Sequence, residues 1–194
     1  ACGEDRIERA GEAPVQVVRS SASYGWSDVA AMTDVAIAAA RRSLRIGTAY
    51  FTPDAATTGR LIEAARRGVA VEILLPWPQM DARISQLAGA EAIAPLLEAG
   101  ITIHVFQPTM YHAKLMVLDE AVAIIGSANF NRRSAWQDEE VCLVCLDPAL
   151  AAVLLADWEE DVARSEPIVL SRWRRRGLGR RVQEAAARLL HPMV

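Results

Sequence analysis

An α/β fold with a mixed central sheet and helices on both faces is predicted by three observations. Short apolar runs alternate with amphipathic stretches of helical period along the chain, the pattern of a sheet covered by helices. The composition is 52% apolar with only 6% aromatic residues, which suits a core of Ala, Val, Leu and Ile. Residues 115–125 hold two apolar runs joined at Asp119-Glu120, with the spacing of a tight hairpin, so antiparallel pairing joins the strand–helix alternation. A length of 194 residues suits a single domain spanning 1–194 with a substantial core.

The elements follow in order. Residues 15–19 form a short strand. Residues 28–42 place Val29, Met32, Ala36 and Ala39 on one helical face, with Ser27 or Asp28 as the cap. A strand at 44–50 leads to a helix at 57–67, closed by Gly68 in the position a C-terminal glycine takes. Residues 71–75 make a buried strand that Pro76 ends. Helical sequence covers 84–99, with breaks expected near Gly89 and Pro95. A strand at 101–106 precedes the hairpin. Residues 141–146 are another strand, and Pro148 at a first helical position starts a helix reaching about residue 164. No uninterrupted apolar run approaches eighteen residues, so nothing in the sequence reads as a membrane-spanning helix.

The chemistry concentrates at the ends of the hairpin. His112 and Lys114 are two apart, as are Ser127 and Asn129. On extended chain each pair shares one face. Two antiparallel strands therefore gather an imidazole, an ammonium, a hydroxyl and an amide. A neutral imidazole is a competent nucleophile near pH 7, and its attack on a phosphodiester gives a phosphohistidine. Lys114 offers positive charge to the phosphoryl oxygens, while Ser127 and Asn129 offer neutral donors. This scheme needs no metal, and a lone His with no Cys or carboxylate at zinc spacing is a poor metal site.

The pattern His112-x-Lys114-x4-Asp119-x6-Gly126-Ser127-x-Asn129 resembles the HKD motif of the phospholipase D superfamily. More of the chain resembles one branch, the bacterial cardiolipin synthases. Tyr50-Phe51-Thr52-Pro53-Asp54 looks like their YFxPD segment, and Ala64 to Val69 like their AAxRGV helix end. Gly126 to Ser134 resembles GSANxDxRS, except that Asn131 stands where the family has Asp. The end of the chain, Ala187 to Pro192, is similar too.

The resemblance implies a phospholipase D-like domain acting on a phospholipid as phosphatidyltransferase or phosphodiesterase, without a cofactor. Two-motif members build one site between two HKD halves, and this chain carries one motif. Its expected partner is therefore an N-terminal half or a second copy, and the chain resembles the second half of such an enzyme. His112 is then nucleophile or general acid. Glu140 is the expected carboxylate that orients it, with Asp138 as rival and Glu139 facing the opposite way. Asp119 completes the motif and counts among the candidate catalytic residues, yet it lies beyond four apolar residues, where a turn-building role is expected. Two alternatives stay open: a metal-independent homodimeric nuclease and a non-catalytic half. The implied location is the cytoplasmic face of the cell membrane.

Four other features complete the reading. Cys142 and Cys145 are spaced C-x-x-C, but on a strand they face opposite ways and read as buried thiols. His104 lies in an apolar strand and reads as a satisfied core or edge histidine rather than a catalyst. Trp77, between two prolines after a strand, is a residue for plain packing or for the cleft wall. The segment 171–194 is basic and amphipathic, with Arg172, Trp173 and Arg174 to Arg176 at its start, in a chain whose net charge is −3. It suits either an anionic membrane surface or docking on its own domain or on the missing half. Nucleic acid is an unlikely partner for so acidic a remainder.

Overall fold

The computed structural model describes residues 11–76, 83–177, 179 and 183. In chain order the elements are β1 (Val15–Ser21), β2 (Trp26–Ser27), α1 (Asp28–Ala39), β3 (Ser43–Gly47), β4 (Phe51–Thr52), α2 (Ala55–Arg66) and β5 (Ala70–Leu75). They continue with α3 (Arg83–Glu98), β6 (Thr102–Phe106), β7 (Leu115–Leu118), β8 (Val122–Gly126), β9 (Phe130–Asn131), α4 (Arg132–Trp136), β10 (Glu140–Leu146), α5 (Pro148–Ala163), β11 (Ser165–Pro167) and α6 (Leu170–Arg174).

Nine strands form one mixed sheet in the order β11-β6-β5-β3-β7-β8-β10-β1-β2. β3, β5 and β6 are parallel, linked through α2 and α3. β7, β8, β10 and β1 are antiparallel. The join falls at β3, which pairs antiparallel with β7.

Strand alternation sorts the core into two layers. Leu44, Ile46, Ile73 and Ile103 pack against Ile37 of α1, Leu61 of α2, and Ile93 and Leu96 of α3. Burying each such side chain contributes about 1.5–3 kcal/mol relative to leaving it exposed. On the other face Leu74 and Phe106 meet Trp158 of α5 and Tyr111. Helices thus cover both faces, as expected.

Several expected boundaries differ for physical reasons. α1 stops at Ala39 rather than near residue 42, because the N–H groups of Arg41, Arg42 and Ser43 turn to the Asp119 carboxylate at 2.7–3.0 Å. Ser27 sits at the cap position but caps nothing; the hydroxyl of Ser20 accepts from the Val29 N–H instead. α3 runs unbroken through Gly89 and Pro95. Gly89 marks close approach, not a break: a Cβ there would lie 2.0 Å from the carbonyl oxygen of Phe51. Gly68 has φ +92, as its position after α2 demands.

His104 is satisfied: its Nε2 lies 3.4 Å from a Glu72 oxygen, and Arg45 meets the same carboxylate at 3.3 Å. Cys142 and Cys145 are buried free thiols. Trp77 lies outside the described residues, as does most of the segment beyond 177. The start of that segment docks on its own domain. Trp173 of α6 is buried in the main core, Arg176 stacks 3.5 Å over its ring, and Arg174 pairs with Glu98. Among the described residues, no helix is long and apolar enough to cross a membrane.

Candidate active site

The β7–β8 hairpin lies in the middle of the sheet, with its turn and its open end at opposite ends of the strands. Asp119 and Glu120 both have positive φ, 51 and 60, as a type I′ turn requires, and Ala121 donates to the Leu118 carbonyl. Leu118 pairs with Val122, so Ala121 belongs to the loop along with the two residues expected. At the other end, the Gly126 N–H donates to the Lys114 carbonyl at 3.2 Å. Gly126 therefore stands opposite Lys114, and Ser127 is the next residue along.

His112 and Lys114 lie just before β7 rather than within a strand. Lys114 Nζ sits 3.1 Å from His112 Nδ1 and donates to the His112 carbonyl at 3.0 Å. Burial lowers the ammonium pKa, and the Glu140 carboxylate works against that shift. The Tyr50 ring stands edge-on to the imidazole, 6.2 Å between centroids.

Ser127 is locked to β10. Its N–H donates to the Val141 carbonyl at 3.0 Å, and its Oγ accepts from the Val141 N–H at 3.0 Å. The Ser127 hydroxyl donates to Glu140. Gly126 is what lets the strands close here: a Cβ would lie 2.3 Å from the Val141 carbonyl oxygen and 2.7 Å from the Cys142 Cα.

Asn129 accepts from the Tyr50 N–H at 3.3 Å through its side-chain oxygen, and its own N–H donates to Ser134 Oγ at 3.0 Å. Its amide NH2 makes no hydrogen bond among the described residues. β4 and β9 pair in parallel, Phe51 with Phe130 and Thr52 with Asn131. That pairing carries Tyr50 and Asn129 together.

The structure thus gathers His112, Lys114, Ser127, Asn129 and Glu140 around the ends of the interior strands β7, β8 and β10. Within that set, Glu140 holds Ser127, and no carboxylate bonds His112 among the described residues. Asp138 turns away to Arg133, and Glu139 accepts from Ser21. Asp119, counted among the catalytic candidates, is not brought to the site. It lies at the far end of β7, where it accepts from Arg41, Arg42 and Ser43. Burial pushes its carboxyl up, but these N–H groups and the Arg42 charge outweigh that and hold it below the usual range. Sequence reasoning missed Tyr50 and Ser134 as supports of His112 and Asn129. Both stood inside the quoted YFTPD and GSANFNRRS segments. Asn131 caps α4, accepting from the Ser134 N–H at 2.9 Å. No group of three metal-ligating side chains occurs among the described residues.

Residues 34–162 match the sequence family described as "Cardiolipin synthase, PLD-like domain". The chain belongs to this family. Among individual relatives, it is 32% identical over 180 residues to cardiolipin synthase 2 of Bacillus anthracis, covering 93% of this chain and 35% of the relative. It is 31% identical over 184 residues to the major cardiolipin synthase ClsA of Bacillus subtilis, covering 95% and 38%. The chain therefore spans about a third of the length of the curated relatives it matches. Two solved structures share the phospholipase D-like fold. Nuc, a phospholipase D family member from Salmonella typhimurium, superposes with TM-score 0.69 at 24% identity over 81% of this chain and 99% of its own. Phosphatidylserine synthase of Haemophilus influenzae gives 0.70 at 15% identity, over 93% and 47%.

Proposed function

We propose that this cardiolipin synthase-like domain is the C-terminal catalytic half of a two-motif phosphatidyltransferase or phosphodiesterase that works through a phosphohistidine. One observation carries the reading: His112 and Lys114 lie 3.1 Å apart and Tyr50 links His112 to Asn129, at the ends of central strands, in a family member with a single motif. One imidazole supplies half of what the transfer needs. In the assembled site the other half's imidazole attacks phosphorus, forming the N–P bond as the P–O bond to the leaving alcohol breaks. His112 gives that oxygen its proton. An acceptor hydroxyl then attacks phosphorus, the N–P bond breaks, and the hydroxyl proton returns to His112. Lys114 and the Asn129 amide hold the phosphoryl oxygens throughout. Ser127, whose proton goes to Glu140, acts by fixing Glu140 beside Lys114. In a symmetric pair of copies, His112 fills both roles, one from each chain.

The role of His112 is tested in the two-motif parent. His112→Ala lowers turnover of phosphatidylglycerol by about 10²–10⁴-fold, the usual worth of a general acid. A p-nitrophenyl ester, whose leaving group needs no proton, still forms the covalent adduct. Loss of adduct from both substrates makes His112 the nucleophile instead. EDTA-resistant DNA cleavage by the isolated chain, lost in His112→Ala, would replace this reading with a homodimeric nuclease. Inertness of the parent towards every phosphodiester would make the chain a non-catalytic half.

Peripheral contact with an anionic membrane is the proposed location. The exposed Arg172 and Arg175 of the α6 region supply the charge, while Trp173 is committed to the core. Binding to phosphatidylglycerol vesicles that is unchanged in the double variant Arg172→Glu/Arg175→Glu excludes this surface.

A further inference from the structure

A cavity of about 210 Å³ opens between α1, α2 and α4, well above the ~10–15 Å³ a single water needs. Asn129 lines both this cavity and the crevice beneath Lys114, so one residue joins the cavity to the neighbourhood of Lys114. Its polar wall is unlike that site. Asp34 and Arg60 pair across it at 3.1 Å, both partly exposed. Asp54 spends one carboxylate oxygen on the Thr57 N–H, leaving the other. Asn131 spends its side-chain oxygen on the Ser134 N–H, leaving its NH2. Arg132 completes the charged set, and Trp136, 55% exposed, forms the apolar rim.

The charges decide the ligand class. Two guanidiniums face two carboxylates, so the wall carries no surplus positive charge for a phosphate. Donors and acceptors alternate instead: Arg60, Arg132 and the Asn131 amide against Asp34 and Asp54. Each hydroxyl both donates and accepts, so vicinal hydroxyls match such a wall. The Trp136 ring offers a flat apolar surface to the C–H side of the same ligand. We propose that this cavity binds a neutral polyol and holds the glycerol-type group of the acceptor while the phosphoryl group stays at His112 and Lys114. The acceptor role rests on the phosphatidyl-transfer reading; the polyol site does not.

The test is a ¹H–¹⁵N NMR titration of the full 194-residue chain, with glycerol, 1-propanol and inorganic phosphate as probes. Glycerol is expected to shift the Trp136 indole and the Asn131 side-chain amide saturably, in the millimolar range, while propanol and phosphate do not saturate there. Asp34→Ala leaves the wall net positive. It should weaken glycerol about tenfold and gain a phosphate response at Arg60. Trp136→Ala, at an exposed position, gives a second variant that keeps the fold and should also weaken glycerol. Non-saturating glycerol shifts, or phosphate saturating the Arg60 and Arg132 signals in the unaltered chain, overturn the proposal. Failure of the transfer reading looks different: glycerol saturates the cavity, yet the two-motif parent yields only hydrolysis product.

Discussion

The ammonium of Lys114 stands 3.1 Å from Nδ1 of His112, and Lys114 is the only lysine in the chain. One cation thus serves the imidazole, and the carboxylate that steadies it is Glu140, which Ser127 holds from the next strand.

Glu140→Gln removes the charge that opposes the effect of burial on Lys114. The Lys114 amine should then titrate at still lower pH. Reductive ¹³C-methylation labels only this lysine and the α-amine, so an NMR titration reads the change directly. With its folded pKa below the unfolded one, protonated Lys114 costs stability at low pH. Stability rises as pH climbs from the folded towards the unfolded value. A titration identical in the variant removes Glu140 from the electrostatics of the site.

Asp119→Asn weakens the anchor at Arg41 to Ser43. Charge-assisted hydrogen bonds at a partly exposed site suggest a loss of about 1–2 kcal/mol, or roughly 3–6 °C in Tm for a chain of this size. The sign with pH follows from the depressed pKa. The contribution is complete above the unfolded carboxyl pKa and is lost as pH falls through the lower folded value. Turnover abolished at an unchanged Tm would refute the structural role.

Asn131→Asp should keep the α4 cap, and Asn131→Ala should lose it. The Ala variant is expected to be less stable by about 1 kcal/mol, read as a fall of roughly 2–4 °C in Tm. Equal melting of all three forms contradicts the cap seen at Ser134.

Gly126→Ala drives a methyl group into the backbone of β10 at Val141 and Cys142, where the two nearest atoms are main chain and cannot swing aside. A loss of about 1–3 kcal/mol or more is expected. Hydrogen exchange at the Ser127 and Val141 amides should quicken first, because those N–H groups form the seam that must open. Protection there equal to the parent's sinks the idea.

Much of the fold could be read in advance where one residue carries one signal. Gly68 closed α2, Pro148 opened α5, and the spacing from His112 to Asn129 located the hairpin. What escaped was set by contacts between distant segments. The end of α1 depends on Asp119, nearly eighty positions away in the chain, and no local propensity marks it. Gly89 read as a helix breaker because its partner, the Phe51 carbonyl, is visible only once β4 and α3 are packed. The site shows the same division. The motif residues declared themselves, whereas Tyr50 reaches His112 only through the pairing of β4 with β9. Glu140 was expected beside the imidazole and instead serves Ser127 and Lys114, a choice made by strand register.

The hairpin also fixes the length of the motif in this chain. Leu115 pairs with Ile125 and Leu118 with Val122, while Asp119 is pinned to the chain entering β3. The segment from Lys114 to Ser127 is therefore a ruler clamped at one end. One inserted residue in either arm would turn every following side chain to the opposite face. Two would restore the faces but carry the Lys114 edge about 7 Å past its neighbours. The intervals in the motif are thus measurements of the sheet.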